Sequence, residues 1–274
     1  MAASSETLPT TLQNHAMDGE WTIVTNQKRR RMKPTPGMPE APVAWIPAAD
    51  DTSPERVSKL LQKIDSSMKK VESSSFYHDF FEQLQSEEVS NSFSVVLGSE
   101  EKMQVVIYGI GSVESYETPR LQLSLALLMK RKFEWMGEIE IFDPVLSVTE
   151  CRALETLGCS VLSINEQGCR CVLSPTLFFM PHCEAKLYDN LLRANWNTGK
   201  LSRLVLFGNS FQKYGENAEL GAFRCGSARH VLAATPFTVQ FEIPKCEGEF
   251  LRAFNDSSWH FFSKISDTEL PILN

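Results

Sequence analysis

Val105-Val106-Ile107-Tyr108-Gly109-Ile110-Gly111-Ser112 decides the fold, because a β-branched, aromatic run breaks there into a glycine turn. A short apolar run bounded by such a turn reads as a strand covered on both faces, the kind found in parallel sheets. Working outward, four more apolar runs end in polar clusters. Ile139–Phe142 leads to Asp143-Pro144, Cys159–Ser163 to Asn165-Glu166, Thr176–Met180 to Pro181-His182-Cys183, and Leu204–Phe207 to Gly208-Asn209-Ser210-Phe211. Helix signals separate them. Thr118-Pro119 opens a helix carrying Leu121, Leu125 and Leu128, and Ser147-Val148-Thr149-Glu150 is a capping box. Val148, Cys151, Leu154 and Leu157 give that second helix its inner face, and Gly158 suits its C-terminal cap. Leu187, Leu191 and Leu192 mark another helix. This alternation predicts a Rossmann-like, mainly parallel α/β sheet of about five strands in the order 3-2-1-4-5. All five strand ends then share one edge, where open α/β sheets bind ligands.

Three segments flank this core. Residues 1–52 read as a disordered arm, with Pro34, Pro36, Pro39, Pro42 and Pro47 crowded where neither helix nor central strand can form. Within it, Glu20-Trp21-Thr22-Ile23-Val24 is an apolar patch suited to docking. Lys28, Arg29, Arg30, Arg31 and Lys33 form a basic run that reads as a nuclear-import signal or as a solvated stretch without a receptor. Residues 53–90 form a helical extension. Ser53-Pro54-Glu55 caps its first helix, Val57, Leu60, Leu61, Ile64, Met68 and Val71 make one stripe, and Phe76, Tyr77, Phe80, Phe81 and Leu84 make a second helix. Residues 91–274 form the Rossmann-like domain, less regular after 212. Phe237–Ile243 alternates as an edge strand, and Phe254–Phe262 is expected to pack its aromatics over the sheet edge or to offer a recognition surface.

Bulk properties narrow the function. The chain has 274 residues, 42% apolar, with a formal charge of -7. An acidic balance argues against a general nucleic-acid surface. No apolar run reaches the roughly 20 residues that span a bilayer, and the N-terminus lacks the order of a secretory signal. A soluble, intracellular protein is expected, with no membrane partner. The seven cysteines are odd in number and dispersed, which fits reduced thiols rather than a disulfide framework. Cys169-Arg170-Cys171 and His182-Cys183 match no standard zinc spacing, so no metal is expected.

The strand ends carry the candidate chemistry. Gly109, Gly111 and Ser112 make half of a dinucleotide fingerprint, in which backbone amides approach a phosphate. Glu114 replaces the third glycine, Pro119 delays the helix, and Glu114 and Glu117 would repel a pyrophosphate. Asp143 stands where nucleotide and S-adenosylmethionine binders place a ribose-binding acid, or it braces an Asp-Pro turn. His182 follows the fourth strand at the switch point, but adjacent Cys183 should point the opposite way, so the two are not expected to pair. Asn209 and Ser210 follow the fifth strand as ligand contacts or turn caps. No nucleophile elbow, phosphate-binding Walker loop or zinc-protease helix is present. No catalytic residue is assigned and no cofactor is required, although a nucleotide or S-adenosylmethionine remains an alternative at this edge.

The same segments carry a family resemblance. Val105–Ser112, Phe142-Asp143-Pro144, Leu157-Gly158 through Asn165-Glu166, Phe179–Cys183, Leu187–Leu192, Asn195-Trp196 and Gly208–Phe211 resemble the domain of the Sensitivity to Red Light Reduced family across roughly residues 95–215. The basic arm and Phe254–Phe262 further resemble its plant members. The resemblance implies a regulator in circadian-clock input and red-light, phytochrome-linked signalling, resident in nucleus and cytoplasm. It implies signalling or clock proteins as partners, with an import receptor for the basic arm. It brings no catalytic residue with it. Direct DNA binding would rest on the basic arm alone and is not expected.

Overall fold

The computed structural model describes residues 42–50, 52–219, 228–262 and 270–273, all within the unit Pro39–Asn274. The chain runs through β1 (Val43–Ala44), α1 (Pro54–Glu72), α2 (Ser75–Gln85), α3 (Glu87–Leu97), β2 (Met103–Tyr108) and α4 (Glu117–Lys132). It continues through β3 (Met136–Phe142), α5 (Val148–Thr156), β4 (Cys159–Val161), β5 (Ile164–Asn165), β6 (Thr176–Met180), α6 (Ala185–Ala194) and α7 (Thr198–Leu201). The last part holds β7 (Leu204–Asn209), α8 (Phe211–Glu219), α9 (Arg229–Ala234), β8 (Thr238–Glu242), α10 (Gly248–Phe254) and β9 (Ser257–Phe262).

The main sheet has the order β4-β3-β2-β6-β7-β9-β8. Its first five strands pair in parallel, and in chain order they are the expected 3-2-1-4-5. The sheet is then extended by β9, antiparallel to β7, and by β8 at the edge. Helices cover both faces. Ile107, Phe179, Phe207 and Trp259 face a core shared with α1 to α5 and α10, while Val106, Phe178, Leu206 and Phe262 face α6, α8 and α9. Because each strand is covered on both sides, no polar-apolar alternation is needed. α4 is buried from Pro119 through most of its length, because α1 and α10 close over the side away from the sheet. Gln122 stays in this apolar setting by donating Nε2–H to the Ala253 carbonyl at 2.8 Å.

Four details differ from the sequence expectation. The helical extension has three helices, and α3 crosses the expected boundary at 90/91. Its N-cap, Ser86, makes no side-chain cap bond, so the usual start signal is weak. α4 begins at Glu117 rather than at a Thr118 cap, which leaves Pro119 in the first turn, where its missing amide costs nothing. Ser257–Phe262, expected over the sheet edge, is instead the interior strand β9, with all six residues buried. Trp259 meets Phe207, Phe80 and Phe93 at centroid distances of 4.6, 5.9 and 5.3 Å, which ties α2 and α3 to the sheet. Residues 42–50, assigned above to the arm, are pinned to the strand ends. β1 pairs with β5, Trp45 donates its indole N–H to the Pro144 carbonyl at 3.3 Å, and Ala48 donates to the Leu146 carbonyl at 3.1 Å. The basic run and the Trp21 patch lie outside the described residues.

Candidate functional site

The glycine loop after β2 is built by close approach. Gly109 has φ +68° and Gly111 φ +76°, both in the left-handed region that favours glycine. A β-carbon at 109 would stand 2.5 Å from Cys183 Sγ. That thiol donates to the Tyr108 carbonyl at 3.2 Å, and burial pushes its pKa far up, so it stays a thiol.

Two amides that a phosphate would use, those of Gly111 and Glu114, are already bonded. Gly111 N–H donates to Asp143 Oδ2 at 2.8 Å, and Val145 N–H to Asp143 Oδ1 at 2.9 Å. Burial raises the Asp143 pKa, opposed by these two amide bonds, which favour the carboxylate. Glu150, 2% exposed, performs a similar task one turn away. Its Oε1 accepts from Ser112 Oγ at 2.7 Å and from Glu114 N–H at 3.0 Å, while Oε2 accepts from Ser147 N–H at 2.8 Å in the capping box. Arg56 of α1 then grips both oxygens of Glu114 at 2.7 and 2.6 Å. The amides of Gly111 and Glu114 thus meet carboxylates of the chain itself. A phosphate there would have to displace Asp143 and Glu150 while lying beside them.

Four of the seven sequence-derived candidates, Gly109, Gly111, Ser112 and Asp143, meet in this closed loop. His182 and Asn209 meet in a second cluster. Asn209 Oδ1 accepts from His182 N–H at 2.8 Å, and Nδ2 donates to the Cys183 carbonyl at 3.1 Å and to Tyr214 Oη at 3.0 Å. Asn209 N–H donates to Tyr188 Oη at 3.0 Å. Tyr188 fits there because residue 208 is glycine: a β-carbon would lie 2.6 Å from the phenol oxygen. His182 adopts φ +59°, and its Nε2 lies 3.1 Å from the Asn255 carbonyl. Burial lowers its pKa. As expected, His182 and Cys183 diverge.

Ser210, the seventh, caps α8 through Lys213 N–H at 3.3 Å and accepts from Gln240 Nε2 at 2.9 Å. It also lines a cleft of about 470 Å³ at the β7-β9-β8 end of the same edge, with Lys213, Asn255, Asp256, Ser257 and Ser258. The hydroxyls of Ser257 and Ser258 are buried and have no hydrogen-bond partner in the protein. Asp256, at the turn into β9, holds φ +54°. Aspartate and histidine are among the residues that tolerate this region best.

Sequence reasoning read Glu150 only as a helix cap, and the capping box was the available signal. It did not single out Tyr188, and it named Asp256, Ser257 and Ser258 only as part of the Phe254–Phe262 segment, because their neighbours are remote in sequence. It also missed a polar cluster beneath β2: Tyr108 Oη donates to Glu166, and Arg170 bridges Glu166 and Glu140. Among the described residues no group of three or more His, Cys, Asp or Glu is placed to hold a metal, and no helix is long and apolar enough to cross a membrane. Cys151, Cys159, Cys169, Cys171, Cys183 and Cys246 are free thiols.

These features define a Rossmann-like α/β protein whose glycine loop is filled by its own carboxylates and whose strand-end cleft opens at the far side. The chain belongs to the SRR1 domain family, whose model matches residues 57–261. It is 52% identical to Protein SENSITIVITY TO RED LIGHT REDUCED 1 of Arabidopsis thaliana, over 97% of this chain and 98% of that protein. It is 42% identical to an SRR1-like protein of Mus musculus, over 45% of this chain and 50% of that one. Among solved structures, that of MtNAS in complex with MTA and tNA aligns with a TM-score of 0.39 at 14% identity, covering 76% of this chain and 69% of that one.

Proposed function

We propose that the protein is a regulator in red-light signalling that feeds the circadian clock, acting through protein partners and not through turnover of a nucleotide at its glycine loop. The observation that carries this reading is the occupation of the loop amides by Asp143 and Glu150, which leaves an anionic cofactor no free donor at Gly111 or Glu114. The red-light assignment is supported by the 52% identity to a protein named for that response. In this reading the run Lys28, Arg29, Arg30, Arg31 and Lys33 engages an import receptor, and the protein divides its time between nucleus and cytoplasm. Its partners are signalling or clock proteins.

The test is complementation. This chain, expressed in Arabidopsis lacking the 52%-identical relative, is expected to restore seedling shortening under red light and normal rhythms of a clock-driven reporter. Full expression without restored red response would overturn the assignment. Replacing Arg29, Arg30 and Arg31 with alanine should shift a tagged protein to the cytoplasm; an unchanged nuclear signal refutes the import role.

A second reading, a nucleotide- or S-adenosylmethionine-dependent enzyme, is favoured by one observation: the open cleft with its unpartnered hydroxyls. A thermal-shift screen with nucleotides, NAD(P) and S-adenosylmethionine at millimolar concentration separates the two. A raised melting temperature moves the function to the enzyme reading.

A further inference from the structure

Away from the strand-end clusters, α1 and α4 line a shallow, open groove of about 520 Å³. Its walls carry Lys59, Lys63 and Lys70 from α1 and Arg120 from α4, against one carboxylate, Glu117. Ser66 and Ser67 lie between Lys63 and Lys70, and their small side chains leave the notch open. Four cations line the groove on a chain with a formal charge of -7, with Glu117 in the wall and Glu249 beside Lys70.

The compensation of these cations is uneven. Lys70 is neutralised by Glu117 and Glu249, both at 2.8 Å. Arg120 Nη1 donates to the carbonyls of Val113 at 3.0 Å and Glu114 at 3.2 Å, and Lys63 Nζ lies 3.5 Å from the Glu114 carbonyl. Carbonyls satisfy a donor but leave its charge. The Glu114 carboxylate pairs with Arg56, which also meets Asp50 at 3.3 Å. Lys59 is exposed and pairs with no carboxylate among the described residues. Lys59 and Lys63, both exposed, therefore stand in the groove without an ion pair among the described residues.

We infer that this groove docks an extended acidic peptide segment of a protein partner, an inference that rests on the reading of the protein as acting through partners. The spacing supports it. The groove runs about 16 Å along the helix from Lys59 to Lys70 at 1.5 Å per residue, room for about five residues of extended chain at about 3.3 Å each, with the charge contacts at its Lys59–Lys63 end. Lys59 and Lys63 are one turn apart, about 6 Å on the helix surface, close to the separation of carboxylates at alternate positions of a strand. The partner segment carries Asp or Glu at every second position. Exposed pairs contribute about 0–1 kcal/mol each, so the contact is weak, rapidly exchanging and sensitive to salt.

The experiment is fluorescence anisotropy of a labelled pentapeptide alternating glutamate and alanine, with its glutamine counterpart as control, titrated with the full chain. The glutamate peptide is expected to bind, and affinity should fall about tenfold on moving from low to physiological salt. The variants K59E/K63E and K59A/K63A should weaken it at least about tenfold with unchanged melting temperature, because both lysines are exposed. Equal binding of the glutamine peptide, or full binding by both variants, overturns the inference. So does capture of phosphatidylserine vesicles by the wild type and not by the variants, with no peptide binding, which would make the groove a membrane contact. If the peptide fails to bind while the wild-type chain restores the red-light response, the groove is refuted and the signalling reading stands. If peptide binding holds and the red-light response is not restored, the groove stands and the signalling reading falls.

Discussion

The two ends of one sheet edge are built in opposite ways. At the β2-β3 end, the glycine loop is filled from within: Asp143 and Glu150 hold its amides, Arg56 holds Glu114, and the segment 42–50 lies over the neighbouring strand ends with Trp45 against Phe142, 5.3 Å between ring centroids. At the β7-β9 end, the edge stays open over about 470 Å³, and two buried hydroxyls have no partner. The contrast separates two things a strand-end loop can do. Its polar groups either stabilise the fold or wait for something outside it. By that measure the closed end is structure and the open end is where a ligand has room.

The comparison breaks most sharply at Glu150. Glu150→Ala removes one acceptor from each of Ser112 Oγ, Glu114 N–H and Ser147 N–H. Leaving such donors unpaired in a part-buried loop should cost about 3 kcal/mol in urea unfolding; a loss under about 1 kcal/mol would mean the loop is not held this way.

Next comes pH. His260 on β9 is fully buried, with its pKa pushed down to about 3 by that burial. The folded ring stays neutral while the unfolded ring takes up a proton below about 6.5. The unfolded state therefore binds more protons, and stability falls as pH drops from about 6.5 toward 3, by up to about 1.4 kcal/mol per unit. Burial lowers the His182 pKa as well, which acts in the same direction. Unfolding at pH 6.5 and 5 should differ by about 2 kcal/mol, and His260→Gln should flatten most of that difference. A slope unchanged by the substitution would place the proton elsewhere.

Trp45→Ala should act locally. Losing the edge contact with Phe142 and the bond to the Pro144 carbonyl is worth about 1 kcal/mol, so amide exchange at Trp45 and Ala48 should quicken several-fold with little change in global stability. Unchanged exchange would show the segment is held by β1 pairing alone. The smallest effect belongs to the open end. Ser257→Ala removes a hydroxyl that bonds to nothing in the protein, so stability should stay within about 0.5 kcal/mol or rise. A clear loss would mean the hydroxyl is satisfied after all and would erase the contrast between the two ends.

Much of the fold was legible because its signals are local. The capping box at Ser147 forms as written, the stripe Leu60, Ile64, Met68 and Val71 is buried, and the five parallel strands stand in the expected order. β9 was not legible as an interior strand. A segment covered on both faces loses the alternation that betrays an exposed one, and its partners β7 and β8 are distant in sequence or reached through a helix. The candidate site was legible as a place but not as an arrangement. Gly109, Gly111, Asp143, His182 and Asn209 all stand at strand ends, yet nothing in their spacing shows that Asp143 faces Gly111 or that Asn209 grips His182.

The sequence by itself determined the five parallel strands, most of the helices, their order and the edge on which polar residues gather, since periodicity, caps and turn residues act over a few neighbouring positions. Only the tertiary structure decided which polar groups on that edge are spent. Whether an amide is free depends on where a carboxylate thirty residues away comes to rest. That position is set by the packing of α1 and α5 and by the parallel pairing of β2 with β3 in the sheet, not by any local rule.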